Sequence, residues 1–433
     1  MDLRVRQCDR LVGSAKVTGD KSISHRALLL GALAEGTSRV RGWLAAADCM
    51  ATLEAVRNLG ITVEQPAPGE LLVHGRGLHG LQAPPGGAPL DCQGSGTTMR
   101  LLAGILAGQP FTATLDGHAG LRRRPMERVA APLRQMGASI VSTNGCPPLT
   151  ITGGHLQSIN YTMPIASAQV KSAILLAALY AEGETTVRQP GPARDHTERM
   201  LAALGVTLQI NGNFIRLTPP ERPLPPFSIT VPADFSSAAF PLVAALVVPG
   251  SHIRLERVNV NQTRTGLLDV LQSMGAEITR EQVGEQAGEP IADLVVRNSA
   301  LQATQVAGDM VVRMIDEFPI FAVAATQAQG TTLVRDAGEL RVKESDRIAA
   351  LATELRKMGA QIEEYPDGFA VHGPSRLVGT CVHSHADHRL AMALAVAGLI
   401  AQGETIVEGA ETIGDSFPGF VEVMRRLGAR MVD

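Results

Sequence analysis

A hydrophobic residue followed by glycine closes a helix-like segment six times along the chain. The pairs are Leu59-Gly60, Met136-Gly137, Leu204-Gly205, Met274-Gly275, Met358-Gly359 and Leu427-Gly428, with successive glycines 77, 68, 70, 84 and 69 residues apart. Ahead of each pair, in LEAVRNLGITV, DVLQSMGAEIT or TELRKMGAQIE, apolar residues recur at helical spacing and polar ones fill the other face. Glycine stops the helix because it alone enters the left-handed conformation without strain, and strand-like text follows. Each motif therefore predicts an amphipathic surface helix, a stop and a strand.

A second pattern also recurs six times: RALLLGALAEG, LLAGILAGQ, AILLAALYAEG, FPLVAALVVPG, FAVAATQAQG and LAMALAVAGLIAQG. These runs are apolar on nearly every face, so each predicts a helix buried on all sides. A β-rich segment such as SRVRGW, ETTVRQP or TTLVRDA follows them. The unit reads strand, buried helix, strand, surface helix, strand, strand. Solenoid repeats usually have periods of about 20–50 residues, shorter than these units. One unit cannot enclose its apolar helix, but three can bury three helices behind sheets. The expected class is α/β, with six βαβαββ repeats, three per domain. The predicted domains are residues 1–18 plus 235–433, discontinuous, and residues 19–234. The N-terminal strand, through about residue 18, has no partner helix before Lys21 and is expected to pair with the second half.

Composition sharpens this picture at few points. Aromatics are only 3% of the chain, so cores on this scale must be Leu, Val, Ile and Ala. The formal net charge of −3 gives no global attraction to nucleic acid or an anionic membrane, so an anionic ligand needs a local cluster of cations. The most apolar stretch, Leu390 to Ala401, spans 12 residues. A membrane span needs about 20, so it predicts a buried helix. Cys8, Cys49, Cys92, Cys146 and Cys381 are odd in number and lack metal-binding spacing, and the N-terminus lacks a signal-peptide run. Reduced thiols in a cytoplasmic, monomeric protein are the expectation.

Candidate chemistry concentrates where helices begin. The six buried helices are preceded by GDKSISHR, GSGTTMR, ASAQVKS, ADFSS, IDEFP and ADHR. Surface helices follow RRRPMER, ARDHTER and RVKESDR. Helix N-termini already present positive dipole ends and unpaired N–H groups. Arg26, Arg124, Arg194, Lys343, Arg347 and Arg389 at such ends are poor local design unless phosphates or carboxylates bind there. One such cation is more simply a solvated charge or a capping partner. Repetition at equivalent positions favours an anion-binding cleft between two cation-lined domains.

Three other motifs lead elsewhere and fail. GDKS resembles part of a P-loop, but Asp20 stands between Gly19 and Lys21, and GxxxxGK[ST] is absent. HSHADH gathers His383, His385 and His388 without a carboxylate or cysteine pattern around them, so a polar turn is expected and no metal. Ser22, Ser95 and Ser167 have no evident His and Asp partnership.

At these residues the chain resembles the enolpyruvyl transferase family along nearly its whole length. GDKSISHRALLLGALAEG, GSGTTMRLLAG, RRRPMERV, SAQVKSAILLAAL, RDHTERML, IDEFPIFAVAA, ELRVKESDRIAAL and ADHRLAMALAVAG carry the likeness. They resemble most the branch that acts on shikimate 3-phosphate. The resemblance implies a two-domain fold of three βαβαββ units each. It implies transfer of the enolpyruvyl group of phosphoenolpyruvate to the 5-hydroxyl of shikimate 3-phosphate, through a tetrahedral intermediate, in the shikimate pathway to chorismate and the aromatic amino acids. No metal or other cofactor is implied. By the same resemblance Asp316 is the base at the 5-hydroxyl, Glu344 the proton donor and acceptor at the methylene, and Lys21 an aid to proton movement that touches both substrates. Lys21, Ser22, Arg26, Ser167, Ala168, Gln169, Arg194, Asp316 and Lys343 would hold shikimate 3-phosphate. Lys21, Gly96, Arg124, Gln169, Arg347 and Arg389 would hold phosphoenolpyruvate. Gly96 would also leave room for glyphosate.

The chain departs from the family pattern at four places. Thr18 replaces a usual Pro, Gly94 a usual Asn, Leu101 a frequent Pro, and Asp415 a Lys that part of the family uses for phosphoenolpyruvate. Gly94 is expected to loosen the loop before Gly96. Two other readings share the fold. The sister family, acting on UDP-N-acetylglucosamine, carries a Cys in a Gly-rich loop, and GHAGLRRRPMERV has none. A catalytically dead binding protein would not need Lys21, Asp316 and Glu344 intact.

Overall fold

The surface helices end as their sequences require. Gly60, Gly137, Gly205, Gly275, Gly359 and Gly428 all have positive φ, between 84° and 109°. After the Arg347–Lys357 helix, the N–H of Gly359 bonds to the carbonyl of Arg356 at 2.9 Å and that of Ala360 to Leu355 at 3.0 Å. Those two bonds satisfy carbonyls that the helix itself leaves unpaired.

A computed structural model describes all 433 residues. The chain forms two compact units, one of Met1–Thr18, Pro232–Glu285 and Pro290–Asp433, the other of Gly19–Val231 and Gln286–Glu289. No helix is long and apolar enough to cross a membrane.

In the unit containing Gly19–Val231, three four-stranded sheets share one plan. In the second of them Leu90–Asp91 runs parallel to Thr112–Asp116, which pairs antiparallel with Cys146–Thr152, which pairs antiparallel with Ser139–Thr143. The third repeats it with Asn160–Thr162, Thr185–Arg188, Phe214–Thr218 and Thr207–Asn211. In the first the parallel outer strand is Ser228–Thr230, which arrives only after the third repeat and pairs with Glu35–Arg41. The helices Lys21–Leu33, Gly96–Ala107 and Ala168–Ala178 lie behind these sheets in one continuous apolar core, the middle one packed on both others.

The other unit uses the same plan. Its central helices, Phe235–Val247, Phe318–Gln327 and His388–Gly398, pack on one another, and every residue of the last is buried. Phe318, Ile320, Phe321 and Val323 are fully buried, and each such side chain contributes about 1.5–3 kcal/mol on leaving water. The expected single N-terminal strand is in fact two. Val12–Ala15 supplies the parallel outer strand of the fourth sheet, beside His252–Asn259. Leu3–Arg6 fills an inner place in the sixth, between Glu404–Glu408 and Arg430–Val432. Cys8-Asp9-Arg10 lies between these two strands and pairs in neither ladder.

Candidate active-site residues

Each unit gathers its predicted residues where its central helices begin. In the first, Asp20 caps the Lys21–Leu33 helix by accepting from the Ile23 N–H at 3.0 Å. The cap places Lys21 and Ser22 in the first turn, half-buried. The Lys21 ammonium pairs with Asp48 Oδ2 at 2.8 Å, with 15% and 18% of the two side chains exposed. One turn on, Arg26 is buried and fixed on three sides. Its Nη1 donates to the Ser22 carbonyl at 2.8 Å, its Nε to Thr197 Oγ1 and its Nη2 to Ser172 Oγ, both at 2.7 Å. Burial pulls its pKa down to about 10, although Glu198 and Asp20 act in the opposite direction. Lys171, buried, pairs with Glu198 at 2.6 Å and donates to the Ala193 carbonyl at 3.1 Å. That contact ties down the loop that presents half-buried Arg194.

Ser95 caps the Gly96–Ala107 helix, its Oγ accepting from Thr98 N–H at 3.2 Å. Gly96 is closely surrounded by cations. A Cβ there would stand 2.9 Å from Arg124 Nη1 and 3.1 Å from Arg100 Nη1. Arg100 Nη1 donates to Gln169 Oε1, and Gln169 Nε2 donates to Thr97 Oγ1 at 2.7 Å. Ser167 caps the next helix, accepting from Val170 N–H at 3.4 Å, and Ala168 begins it. The structure thus collects Gly96, Thr97, Arg100, Arg124 and Gln169 as one cluster.

Beside Gly94 the side-chain space is filled by His118. A Cβ at Gly94 would lie 2.6 Å from Nε2 of His118, whose ring covers it. His118 is itself anchored, its N–H donating to the Gln93 carbonyl at 3.0 Å and its Nδ1 accepting from Gly120 N–H at 3.2 Å. A side chain at position 94 would therefore displace the exposed imidazole of His118. Leu101 is fully buried in its helix.

In the other unit Asp316, Glu344 and Asp387 surround the buried guanidinium of Arg347, and Arg389 lies against Asp316. Arg347, with 2% of its side chain exposed, directs Nη2 to Glu344 Oε2 at 2.7 Å and Nε to Asp387 Oδ2 at 2.8 Å. Its Nη1 lies 3.7 Å from Asp316 Oδ1, and Arg389 Nη2 lies 3.7 Å from Asp316 Oδ2. Burial alone would lower the Arg347 pKa, but Asp387, Glu344 and Asp316 outweigh it and raise it. Burial pushes the Lys343 ammonium below the ordinary lysine value, against the pull of Asp316, Glu339 and Glu344. Glu344 is therefore ion-paired to Arg347 three residues on, the arrangement its spacing alone suggests. The pair also lies beside Asp316, which spacing could not reveal. Asp415 closes a turn, Ala410–Asp415, and is half-buried.

Several interacting residues escaped the sequence reading. Asp48 sits in the first turn of Ala47–Asn58, an ordinary place for a carboxylate at a helix start. Asp234 and buried Arg264 pair at 2.8 Å, and Arg264 does stand just ahead of a surface helix, as Arg194 does. Asp195, His196 and Glu289 come together, with His196 Nδ1 2.7 Å from Glu289 Oε1, although 93 residues separate that pair. His385 Nε2 lies 2.7 Å from Glu354 Oε1, so the HSHADH turn is partnered by a buried glutamate.

Comparison with known proteins bears on the family and the fold. A family model described as EPSP synthase (3-phosphoshikimate 1-carboxyvinyltransferase) matches residues 5–424. A 3-phosphoshikimate 1-carboxyvinyltransferase of Thermodesulfovibrio yellowstonii is 48% identical over 430 residues, 99% of this chain and 100% of its own. One of Desulforamulus reducens is 47% identical over 429 residues, 99% of each chain. A solved EPSP synthase from Acinetobacter baumannii superposes with a TM-score of 0.88 at 44% identity, covering 100% of this chain and 99% of that one. The enolpyruvyl transferase NikO from Streptomyces tendae, at 18% identity and a TM-score of 0.80 with 100% and 98% coverage, shares the fold.

Proposed function

The chain belongs to the EPSP synthase family, and from that premise we propose how its residues divide the work. The reaction moves the enolpyruvyl group of phosphoenolpyruvate onto the 5-hydroxyl of shikimate 3-phosphate and releases phosphate. The sister activity on UDP-N-acetylglucosamine is not favoured. The observation that supports the assignment of roles is the meeting of Asp316 and Glu344 on Arg347, at 3.7 and 2.7 Å. Two carboxyl groups beside one buried cation can divide the work, one removing a proton as the carboxylate and the other delivering one as the carboxylic acid.

Asp316, with two guanidinium groups 3.7 Å from its oxygens, is presented as a carboxylate and takes the 5-hydroxyl proton. The hydroxyl oxygen bonds to C2 of phosphoenolpyruvate while Glu344, entering this step as the carboxylic acid, gives its proton to C3, which becomes a methyl group. In the second half Glu344 takes a methyl proton back, the C2–C3 double bond re-forms, and the C2–O bond to phosphate breaks. Lys21 offsets the charge on the departing phosphate. Ser22, Arg26, Ser167, Ala168, Gln169, Arg194 and Lys343 bind shikimate 3-phosphate. Gly96, Arg124, Gln169, Arg347 and Arg389 bind phosphoenolpyruvate, with Lys21 reaching both. Arginine suits this work because its planar fork matches carboxylate and phosphate oxygens in pairs.

The five free cysteines, three of them buried, support a reducing cytoplasm. Exposed large apolar side chains such as Val141, Ile210 and Val283 are scattered along the chain, which supports a monomer. Gly96 supports binding of glyphosate in place of phosphoenolpyruvate. A coupled phosphate-release assay tests the whole reading. Phosphate should appear with shikimate 3-phosphate and not with UDP-N-acetylglucosamine, and the reverse preference would overturn it.

A further inference from the structure

We propose that Asp387 is a positioning residue for enolpyruvyl transfer, setting the guanidinium of Arg347 so that Nη1 is offered to phosphoenolpyruvate and Nη2 to Glu344. The inference rests on the reaction assigned above.

Asp387 is fully buried at the start of the His388–Gly398 helix. Its carboxylate serves donors from three residues. Oδ1 accepts from the Arg389 N–H at 3.0 Å, which caps the helix and places Arg389 in its first turn. Oδ2 accepts from Arg347 Nε at 2.8 Å and from Ser345 Oγ at 3.1 Å. Oδ1 is also 3.3 Å from Arg347 Nη2. One carboxylate thereby joins the Glu344–Arg347 segment to the Arg389 turn, although 40 residues of chain separate Arg347 from Asp387.

The consequence for Arg347 is directional. A planar guanidinium held through Nε and Nη2 has its remaining nitrogen fixed in space. That nitrogen, Nη1, is buried and makes no hydrogen bond in the structure. Its N–H groups are left for an incoming carboxylate or phosphate oxygen, and the nearby Asp316 oxygen at 3.7 Å is too distant to take them. Without Asp387 the guanidinium has only Glu344 and Asp316 as carboxylate partners. It would turn toward them and occupy both reacting groups. Burial alone would raise the Asp387 pKa, but Arg347 and His388 outweigh it and hold the group ionised, which the clamp needs.

A related clamp in the same unit joins Asp234, which caps its own helix through the Ser236 N–H, to Arg264 at 2.8 Å. The feature special to Asp387 is that its arginine also meets Glu344, so the test must separate support of the fold from positioning.

Asp387→Asn keeps an oxygen to cap the helix but removes the charge. Expected are a melting temperature close to wild type, a KM for phosphoenolpyruvate raised about 10-fold or more, a KM for shikimate 3-phosphate within about 2-fold, and kcat lowered about 10-fold, as for a misplaced catalytic group. Arg347→Gln combined with Asp387→Asn should be no worse than Arg347→Gln alone, because the two act as one unit. A crystal structure of Asp387→Asn should show Arg347 turned toward Asp316 or Glu344. An unmoved Arg347, fully additive variants, or equal losses for both substrates tracking a lower melting temperature would each overturn the proposal. The crystal structure decides it even if wild type fails to turn over shikimate 3-phosphate, which would instead sink the assigned reaction.

Discussion

The ammonium of Lys21 stands 2.8 Å from Oδ2 of Asp48, one helix away. A cation assigned to both substrates is thus already paired, and an arriving anion must share or displace that carboxylate. Lys21→Ala should lower kcat at least ~10²-fold and raise KM for both substrates, since it removes charge and proton assistance together. Asp48→Asn should not raise either KM, because it removes a competitor, but should cost about 10-fold in kcat as the ammonium loses its orientation. Steady-state kinetics with each substrate varied in turn would decide, and a raised KM in Asp48→Asn would show that the pair binds rather than competes.

Asp316→Ala and Glu344→Ala should each reduce kcat by at least ~10²-fold, the lower range for groups that move protons in the rate-limiting step. Glu344 acts twice at the same carbon, so Glu344→Gln should also suppress deuterium uptake into the enolpyruvyl methylene in heavy water. Near-wild-type turnover in Glu344→Ala would remove that residue from the mechanism.

Gly96→Ala should act through arginine. Its new methyl carbon would stand 2.9 Å from Arg124 Nη1 and 3.1 Å from Arg100 Nη1, both movable side-chain ends. The cost is displaced charge and lost volume rather than a broken backbone. Glyphosate should inhibit wild type competitively with phosphoenolpyruvate, and Gly96→Ala should relieve inhibition while raising KM for phosphoenolpyruvate. A glyphosate titration at saturating shikimate 3-phosphate measures both, and an insensitive wild type would show that Gly96 does not govern access.

His25 makes stability depend on pH. It is fully buried against Thr52 Oγ1 at 2.7 Å, and burial lowers its pKa to about 3 from 6.5. The unfolded chain therefore binds a proton that the folded chain refuses, so stability is full above about pH 6.5 and declines as pH falls toward about 3. Between pH 7 and pH 5 this one group should cost about 2 kcal/mol of stability. Urea unfolding at the two pH values should show that loss, and His25→Gln should show markedly less of it.

The fold was legible to the extent that its signals are local. Six glycine stops and six apolar runs specify surface and buried helices, since helical periodicity and the left-handed stop depend only on near neighbours. The candidate site was legible as residue types. Arg26, Arg124, Arg194, Lys343, Arg347 and Arg389 stood out because a cation at a helix start opposes the dipole. The neighbour of Gly94 was not legible, since His118 reaches it from 24 positions along the chain.

The repeat, the class of each helix and the kinds of charge at each helix start follow from local sequence alone. Which segments complete which sheets is set by packing between distant parts of the chain. Leu3–Arg6, Val12–Ala15 and Ser228–Thr230 all serve repeats remote from their own place in the chain. The same packing decided that Lys21 meets Asp48 and that Arg347 is shared by Asp387 and Glu344. The reason is physical. A helix is selected by bonds spanning four residues, and any chain with that pattern finds it. The direction of a buried guanidinium depends on carboxylates that become its neighbours only after separate helices have packed.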